Sequence, residues 1–439
     1  MTTNPGPSGA AGAPPDLLRI DSIVAGGDGI ARRDDGCVVF VARTAPGELV
    51  EVEYTDVRRQ WARARVVGVR EASESRRDPP CPHYGRCGGC QLQHLEYDAQ
   101  RSVKGAVVAE SLRRIGGIDA APPEVVASPR ELGYRNRVTL IARRDGALVG
   151  YHDTEDPTRL VDVERCPLAE EPINGVLAAL RRAWRESKEY FPRGRELRLT
   201  LRATVDGDVG LALEGGRDVG RPEALLAAVA GLGSVWVLNR RGDVVRSAGA
   251  KTLDERWGPY SIPVAGVGFV QVNRDASSLL DDHVRDLCGD VAGRRVVDAY
   301  CGFGVRALDL ARRGAAVVGI ERDRHAVKWA ARSAGAVSEG GSPRFIANDV
   351  ERALAGELPA DVVVLNPPRR GVALDALHAL RRRGAGRVVY VSCDPATLAR
   401  DLKELSPTFG LVSLRAFDLF PQTAHVETVA ALETDHSGP

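Results

Sequence analysis

The residues best placed to do chemistry lie in three stretches. In Arg387-Val388-Val389-Tyr390-Val391-Ser392-Cys393-Asp394-Pro395, a β-branched and aromatic run suited to a buried parallel strand stops at a thiol. Pro395 fits the first turn of a following helix, because it needs no amide partner there. A thiol at the carboxyl end of such a strand faces the crevice where open α/β sheets bind ligands, which makes Cys393 a candidate nucleophile. A lone cysteine is otherwise a small buried hydrophobe, so the assignment depends on partners elsewhere in the chain.

The second stretch is Cys81-Pro82-His83-Tyr84-Gly85-Arg86-Cys87-Gly88-Gly89-Cys90, three cysteines separated by five and then two residues. Its glycines let the backbone wrap tightly, and three thiolates so close favour one soft centre, either zinc or an iron-sulfur cluster. Disulfides do not suit a cytosolic chain with clustered cysteines. A fourth ligand is needed, and Cys166, which stands before Pro167, is the best candidate. Cys37, Cys288 and Cys301 are left as structural thiols.

The third stretch is a cofactor crevice. The short strand Arg295-Val296-Val297-Asp298 runs into Ala299-Tyr300-Cys301-Gly302-Phe303-Gly304, where a glycine pair permits close backbone approach to a ligand at the start of a helix. Glu321 closes the next strand, where an acid is positioned to bind ribose hydroxyls. Gln271 and Asp349 lie where further polar contacts could reach the ligand. The strand Asp361 to Leu365 ends in Asn366-Pro367-Pro368-Arg369, and its two prolines make a rigid loop that holds Asn366 in the crevice. In amino-group methyltransferases an aromatic residue follows such an Asn-Pro-Pro; Arg369 stands there instead, which disfavours an exocyclic amine as the target. Near the end of the chain, Glu427 in His425-Val426-Glu427 is a candidate base.

These residues need scaffolds. At 439 residues the chain exceeds what one hydrophobic core organises, and two or three domains are expected. Residues 1–15 read as a disordered Gly/Pro/Ala tail. Residues 16–73 alternate β-rich runs with glycine turns, as a small β-barrel does, and carry Arg32, Arg33, Arg58, Arg59 and Trp61, the cationic and stacking groups that RNA binding uses. Residues 74–260 read as an α+β domain. Within it, Leu92 to Ile118 is a helix placed to pack on the catalytic domain, and Tyr134, Arg135, Asn136 and Arg137 are candidate RNA contacts. Residues 261–434 alternate strands and helices in the order of a doubly wound, Rossmann-like sheet. Net charge is +1, so any nucleic-acid affinity must come from local Arg patches. No apolar run approaches a membrane span and no signal-peptide layout is present, so a cytoplasmic location is expected.

Taken in order, Tyr300-Cys301-Gly302-Phe303-Gly304, Asn366-Pro367-Pro368-Arg369, Ser392-Cys393-Asp394-Pro395 and His425-Val426-Glu427 resemble the RNA 5-methyluridine methyltransferase family, and the amino-terminal barrel resembles its TRAM domain. The resemblance spans nearly the whole chain. It implies a four-iron, four-sulfur cluster on Cys81, Cys87, Cys90 and Cys166, and S-adenosylmethionine bound by Gln271, Tyr300, Glu321, Asp349 and Asn366. It also implies Cys393 as the nucleophile that adds to carbon 6 of uridine, and Glu427 as the base that removes the carbon-5 proton. The expected substrate is RNA, 23S rRNA first and tRNA second. Val305, Asn366 and Asp394 depart from the commonest family pattern. Methylation of cytidine carbon 5, or a role as an RNA-binding or RNA-remodelling protein, are the competing readings; the pairing of Cys393 with Glu427 argues against the second.

Overall fold

Short β-branched runs broken by glycine turns form the amino-terminal unit of this computed structural model, which describes residues 16–434 apart from 267, 269 and 336–341. The stretch read as a tail, 1–15, lies outside the described residues. Six strands order as Asp16–Arg19, Leu49–Val57, Trp61–Glu71, Val38–Val41, Gly29–Arg32 and Ser22–Ile23. Their alternate residues, among them Leu18, Val39, Val50, Val52 and Ala62, point into one small core, as a period of two requires.

A second, seven-stranded sheet is built mainly of antiparallel neighbours, centred on Arg137–Arg143, Glu196–Ala203 and Val209–Glu214. The amphipathic helix Glu171–Glu186 lays Ile173, Leu177, Leu180 and Trp184 over it. The sequence reading of 92–118 as one helix is corrected at its start and end. The α-helix is Tyr97–Ser111, followed by a π-turn, Leu112–Gly116. Residues 92–95 are buried instead against tertiary neighbours, Leu92 and Leu95 with Ile23 and Ala45 of the barrel. The helix packs on the carboxyl-terminal domain, and Val108 and Leu112 belong to its core.

That domain is an eight-stranded sheet in the order Arg344–Ala347, Ala316–Glu321, Arg295–Ala299, Ala360–Leu365, Ala385–Ser392, Glu427–Thr434, Phe409–Phe417, Val125–Val126. Neighbours are parallel except at Glu427–Thr434, which runs antiparallel to both of its partners. Both faces are covered by helices, so the inner strands read as continuous apolar runs, Val362-Val363-Val364-Leu365 and Val388-Val389-Tyr390-Val391, all buried. The strand order reverses between Arg295–Ala299 and Ala360–Leu365, which opens a crevice at their carboxyl ends. The two-residue strand Val125–Val126 closes the far edge from a part of the sequence assigned to the central domain. Among the described residues, no helix is long and apolar enough to cross a membrane.

Candidate active site

Two strand ends set the candidate nucleophile and the candidate base at one rim. The register of Ala385–Ser392 against Glu427–Thr434 pairs Ser392 with Thr428, so the next residue on each strand, Cys393 and Glu427, falls at the same rim of the sheet. Asp394 then starts the helix Pro395–Leu405. Its carboxylate accepts the amide of Thr397 at 2.9 Å, and Pro395 takes the first-turn position. The departure at Asp394 is therefore a working helix cap, and it fixes the backbone one residue beyond the thiol.

The electrostatics of the pair follow from burial. Glu427 is only 6% exposed, and without water around it the carboxyl is pushed up to about 8, with the Arg369 guanidinium pulling in the opposite direction. Cys393 is half-buried, and its thiol is pushed up to about 11, by burial first and then by the Glu427 charge, again opposed by Arg369. Asp394 adds to the upward push. Arg369, the residue that replaces an aromatic in the proline loop, is thus the cation that acts on both groups, and its Nη2 also approaches His425 Nε2 at 3.4 Å.

The proline loop is held by a carboxylate that the sequence analysis passed over. Asp401, fully buried on the helix Pro395–Leu405, accepts the amide of Val372 at 2.8 Å and the hydroxyl of Tyr390 at 2.6 Å, and pairs with Arg400 at 2.7 Å. Gly371 has φ 76°, and a Cβ there would run into Arg400 and Asp401, which is why a glycine ends the loop. Asn366, Arg369 and Cys393 are therefore carried on one braced unit.

Four of the predicted cofactor residues, Tyr300, Glu321, Asp349 and Asn366, stand at or just beyond the carboxyl ends of strands Arg295–Ala299, Ala316–Glu321, Arg344–Ala347 and Ala360–Leu365. The Tyr300 backbone adopts φ 62°, and its hydroxyl is buried without a partner among the described residues. Gly302 faces open space, while a Cβ at Gly304 would meet the Phe345 ring at 2.5 Å. The Glu321 carboxylate accepts the amides of Gly302 at 3.1 Å and Asp323 at 2.9 Å, so it shapes the glycine turn and keeps lone pairs for hydroxyls. Asn348, beside Asp349, donates its amide to the Glu321 carbonyl at 3.0 Å, and Asn366 donates its amide to Ala299 at 3.3 Å. Gln271 follows Val270, a buried member of the apolar cluster on which Phe303 and Val305 also pack. Val305 fills that apolar patch, which accounts for its departure from a polar residue. Behind the turn, Asp298 is fully buried, its carboxyl pushed up to about 6 by burial with Arg306 opposing at 3.8 Å. The sign available in sequence was an acid ending a buried strand.

Of the candidate RNA contacts, Tyr134 and Asn136 turn inward. The Tyr134 hydroxyl donates to the Pro421 carbonyl at 3.0 Å, and Asn136 Nδ2 donates to the Gln271 carbonyl at 2.9 Å. They join elements of the site and are not free for nucleic acid. The barrel does carry exposed Arg32, Arg58 and Arg59, and Trp61 edge-on to Phe40 at 6.4 Å with Arg63 over the Phe40 ring.

Cys81, Cys87, Cys90 and Cys166 are all free thiols and all half-buried. Burial, opposed by local hydrogen bonds and reinforced by the charges of the other cysteines, pushes Cys87 up to about 11 and Cys90 up to about 12. Cys166 is set in place by Asn174, which accepts its amide at 3.0 Å and donates to its carbonyl at 3.2 Å. Among the described residues, no three acidic, His or Cys side chains have the arrangement that holds a single metal ion.

Comparison with known proteins places this geometry. Family models match at residues 351–435, the tRNA (Uracil-5-)-methyltransferase family; at 20–67, the TRAM domain; and at 269–386, the methyltransferase small domain. A protein of Gloeobacter violaceus described as an uncharacterized RNA methyltransferase is 36% identical, over 94% of this chain and 95% of its own length. The 23S rRNA (uracil(1939)-C(5))-methyltransferase RlmD of Alkalilimnicola ehrlichii is 34% identical, over 93% of this chain and 94% of its own length. The crystal structure of the Pyrococcus abyssi tRNA (uracil-54, C5)-methyltransferase in complex with S-adenosyl-L-homocysteine superposes with a TM-score of 0.73 at 26% identity, covering 95% of this chain and all of that one. With its crevice, its TRAM barrel and relatives matched along nearly its whole length, the chain belongs to the S-adenosylmethionine-dependent RNA uracil-C5 methyltransferase family.

Proposed function

We propose that this chain methylates carbon 5 of a uridine in 23S rRNA through a covalent bond between Cys393 and carbon 6. The observation that carries the reading is the juxtaposition of Cys393 and Glu427 at one sheet rim with Arg369 acting on both. The choice of 23S rRNA rests on relatives such as RlmD of Alkalilimnicola ehrlichii.

Carbon 5 of uridine is a poor nucleophile until a thiolate adds to carbon 6. Because the Cys393 thiol sits near 11, little thiolate stands ready at neutral pH. The thiol gives its proton to solvent as the sulfur–carbon bond forms, an ionisation that the Arg369 charge favours. S-adenosylmethionine supplies an electrophilic methyl carbon when bound in the crevice of Gln271, Tyr300, Glu321, Asp349 and Asn366. The enolate pair on carbon 5 of the adduct takes that methyl as its bond to the sulfonium sulfur breaks, and S-adenosylhomocysteine is left. Glu427 in its ionised form, the minority form at pH 7 for a carboxyl near 8, is a strong base for a carboxylate and then removes the carbon-5 proton. The carbon-5 to carbon-6 double bond re-forms as the sulfur–carbon bond breaks, and the electron pair leaves with Cys393. The target base must leave its stack to reach this rim, which gives the cationic and aromatic barrel its use in gripping RNA.

The four cysteines suit a four-iron, four-sulfur cluster. Cys81, Cys87, Cys90 and Cys166 would hold it, and a cluster would not require the four thiols to converge on a single ion. Burial that disfavours free thiolates is relieved by a bound cationic centre. Such a cluster would tie the loop 81–90 to Cys166 on the central sheet.

The test is incubation of the protein with 5-fluorouridine-substituted 23S rRNA fragments and S-adenosylmethionine. Fluorine at carbon 5 blocks the final elimination, so a denaturation-resistant adduct is expected from the native chain and none from Cys393→Ala. An undiminished adduct in Cys393→Ala would remove the nucleophile assignment. Digestion of labelled product to nucleosides separates 5-methyluridine from 5-methylcytidine.

A further inference from the structure

The loop 418–426 delivers the chain to Glu427, and its centre is Gln422. This residue is fully buried and has φ 71°, a left-handed conformation that is strained for a non-glycine residue and persists only where surroundings impose it. The surroundings are specific. The Gln422 carbonyl accepts the amides of Gln91 at 3.2 Å and Leu92 at 3.0 Å, the two residues that follow Cys90. Its amide donates to Gln100 Oε1 at 2.9 Å, and its side-chain Oε1 accepts from Gln100 Nε2 and Arg77 Nη2, both at 3.0 Å. The Gln91 carbonyl in turn accepts the hydroxyl of Tyr84, which lies within the cysteine loop, at 2.7 Å.

We infer that Gln422 is a positioning residue for the catalytic base: through it, the segment after the cysteine loop and the helix Tyr97–Ser111 hold Glu427 in register with Cys393. None of the hydrogen bonds made by Gln422 reaches Cys393 or the helix Pro395–Leu405. The clamp therefore acts on the second half of the reaction, proton removal and release, and leaves thiol attack alone. A base displaced by about an ångström loses on the order of 10²-fold in rate. The inference rests on the proposed function, since it assigns the clamp to one step of that reaction.

The experiment compares Gln422→Gly, which keeps the left-handed backbone without strain, and Gln100→Ala, which removes the clamp from the other side. Each is assayed on 5-fluorouridine RNA and on uridine RNA. On 5-fluorouridine RNA, where no proton is removed, both variants are expected to form the Cys393 adduct within about twofold of the native rate. On uridine RNA, product release is expected to fall by about tenfold or more while a denaturation-resistant adduct accumulates. The double variant should be no worse than the poorer single one, since both cut the same connection. Equal losses on the two RNAs would mark general damage and overturn the inference, as would unchanged release from uridine. If Gln422→Gly does not fold, Gln100→Ala is read by the same criteria. Absence of any 5-fluorouridine adduct in the native chain overturns the proposed function itself, a result distinct from the others.

Discussion

Replacing Glu427 by glutamine should separate stability from activity in opposite directions. The folded chain holds this carboxyl near 8, whereas the unfolded chain ionises it near its ordinary 4.5. Between those values the native state binds more protons than the unfolded one, so stability falls as pH rises. At about 1.4 kcal/mol per pH unit, the wild type loses about 2 to 3 kcal/mol between pH 5 and pH 7 from this group alone. Glutamine is isosteric and does not titrate, so the variant escapes the loss. Thermal unfolding midpoints of the two proteins should nearly coincide at pH 5 and separate by about 2 to 4 °C at pH 7, with the variant higher. On uridine RNA the same variant should accumulate the Cys393 adduct and release methylated product roughly 10² to 10⁴ times more slowly. A midpoint difference that stays constant from pH 5 to pH 8, or a variant less stable than wild type at pH 8, would refute the argument that burial isolates this carboxyl from water.

Three further predictions follow from the same geometry. Arg369→Ala should move the pH profile of 5-fluorouridine adduct formation to higher pH, and Asp394→Asn, which keeps the helix cap but removes a charge, should move it to lower pH; shifts of the same sign would contradict the electrostatics. Asp401→Asn leaves the buried Val372 amide and Tyr390 hydroxyl with a weaker acceptor and should cost about 1–3 kcal/mol in stability, measured by denaturant unfolding, together with slower adduct formation as the proline loop loosens. Anaerobically purified protein should contain iron and acid-labile sulfide, both reduced in Cys166→Ser; zinc without iron would defeat the cluster assignment.

Much of the catalytic domain was legible because a sheet covered on both faces writes itself as apolar runs, and because glycine, proline and cysteine at strand ends mark a crevice. The strand Ala360–Leu365 and the helix Pro395–Leu405 could be read with little else. What the sequence could not show was register. Only the antiparallel pairing of Ser392 with Thr428 brings Glu427 beside Cys393. Val125–Val126 is too short for a period of two to be seen, and the start of the helix at Tyr97 is decided by Leu92 and Leu95 packing on the barrel. Asp401 and Gln422 stayed hidden because their roles lie in partners distant along the chain, and Tyr134 and Asn136 looked like surface polar residues until their buried partners were known.

The helix Tyr97–Ser111 carries one more implication, for the order of assembly. Lys104 is buried and pairs at 2.6 Å with Asp418, which lies 314 positions further along the chain, and it also donates to the Phe420 carbonyl at 3.1 Å. During synthesis this helix emerges early, yet its charge finds a counter-ion only when nearly all of the chain has been made. Until then it is an amphipathic segment without its docking surface, and the small barrel just before it is the part free to fold alone. A fragment beginning near residue 261 would lack the Lys104 ammonium and the Val125–Val126 edge strand, leaving Asp418 buried without its cation. The catalytic unit is thus discontinuous in sequence, and it closes only when the last strands return to the segment made first.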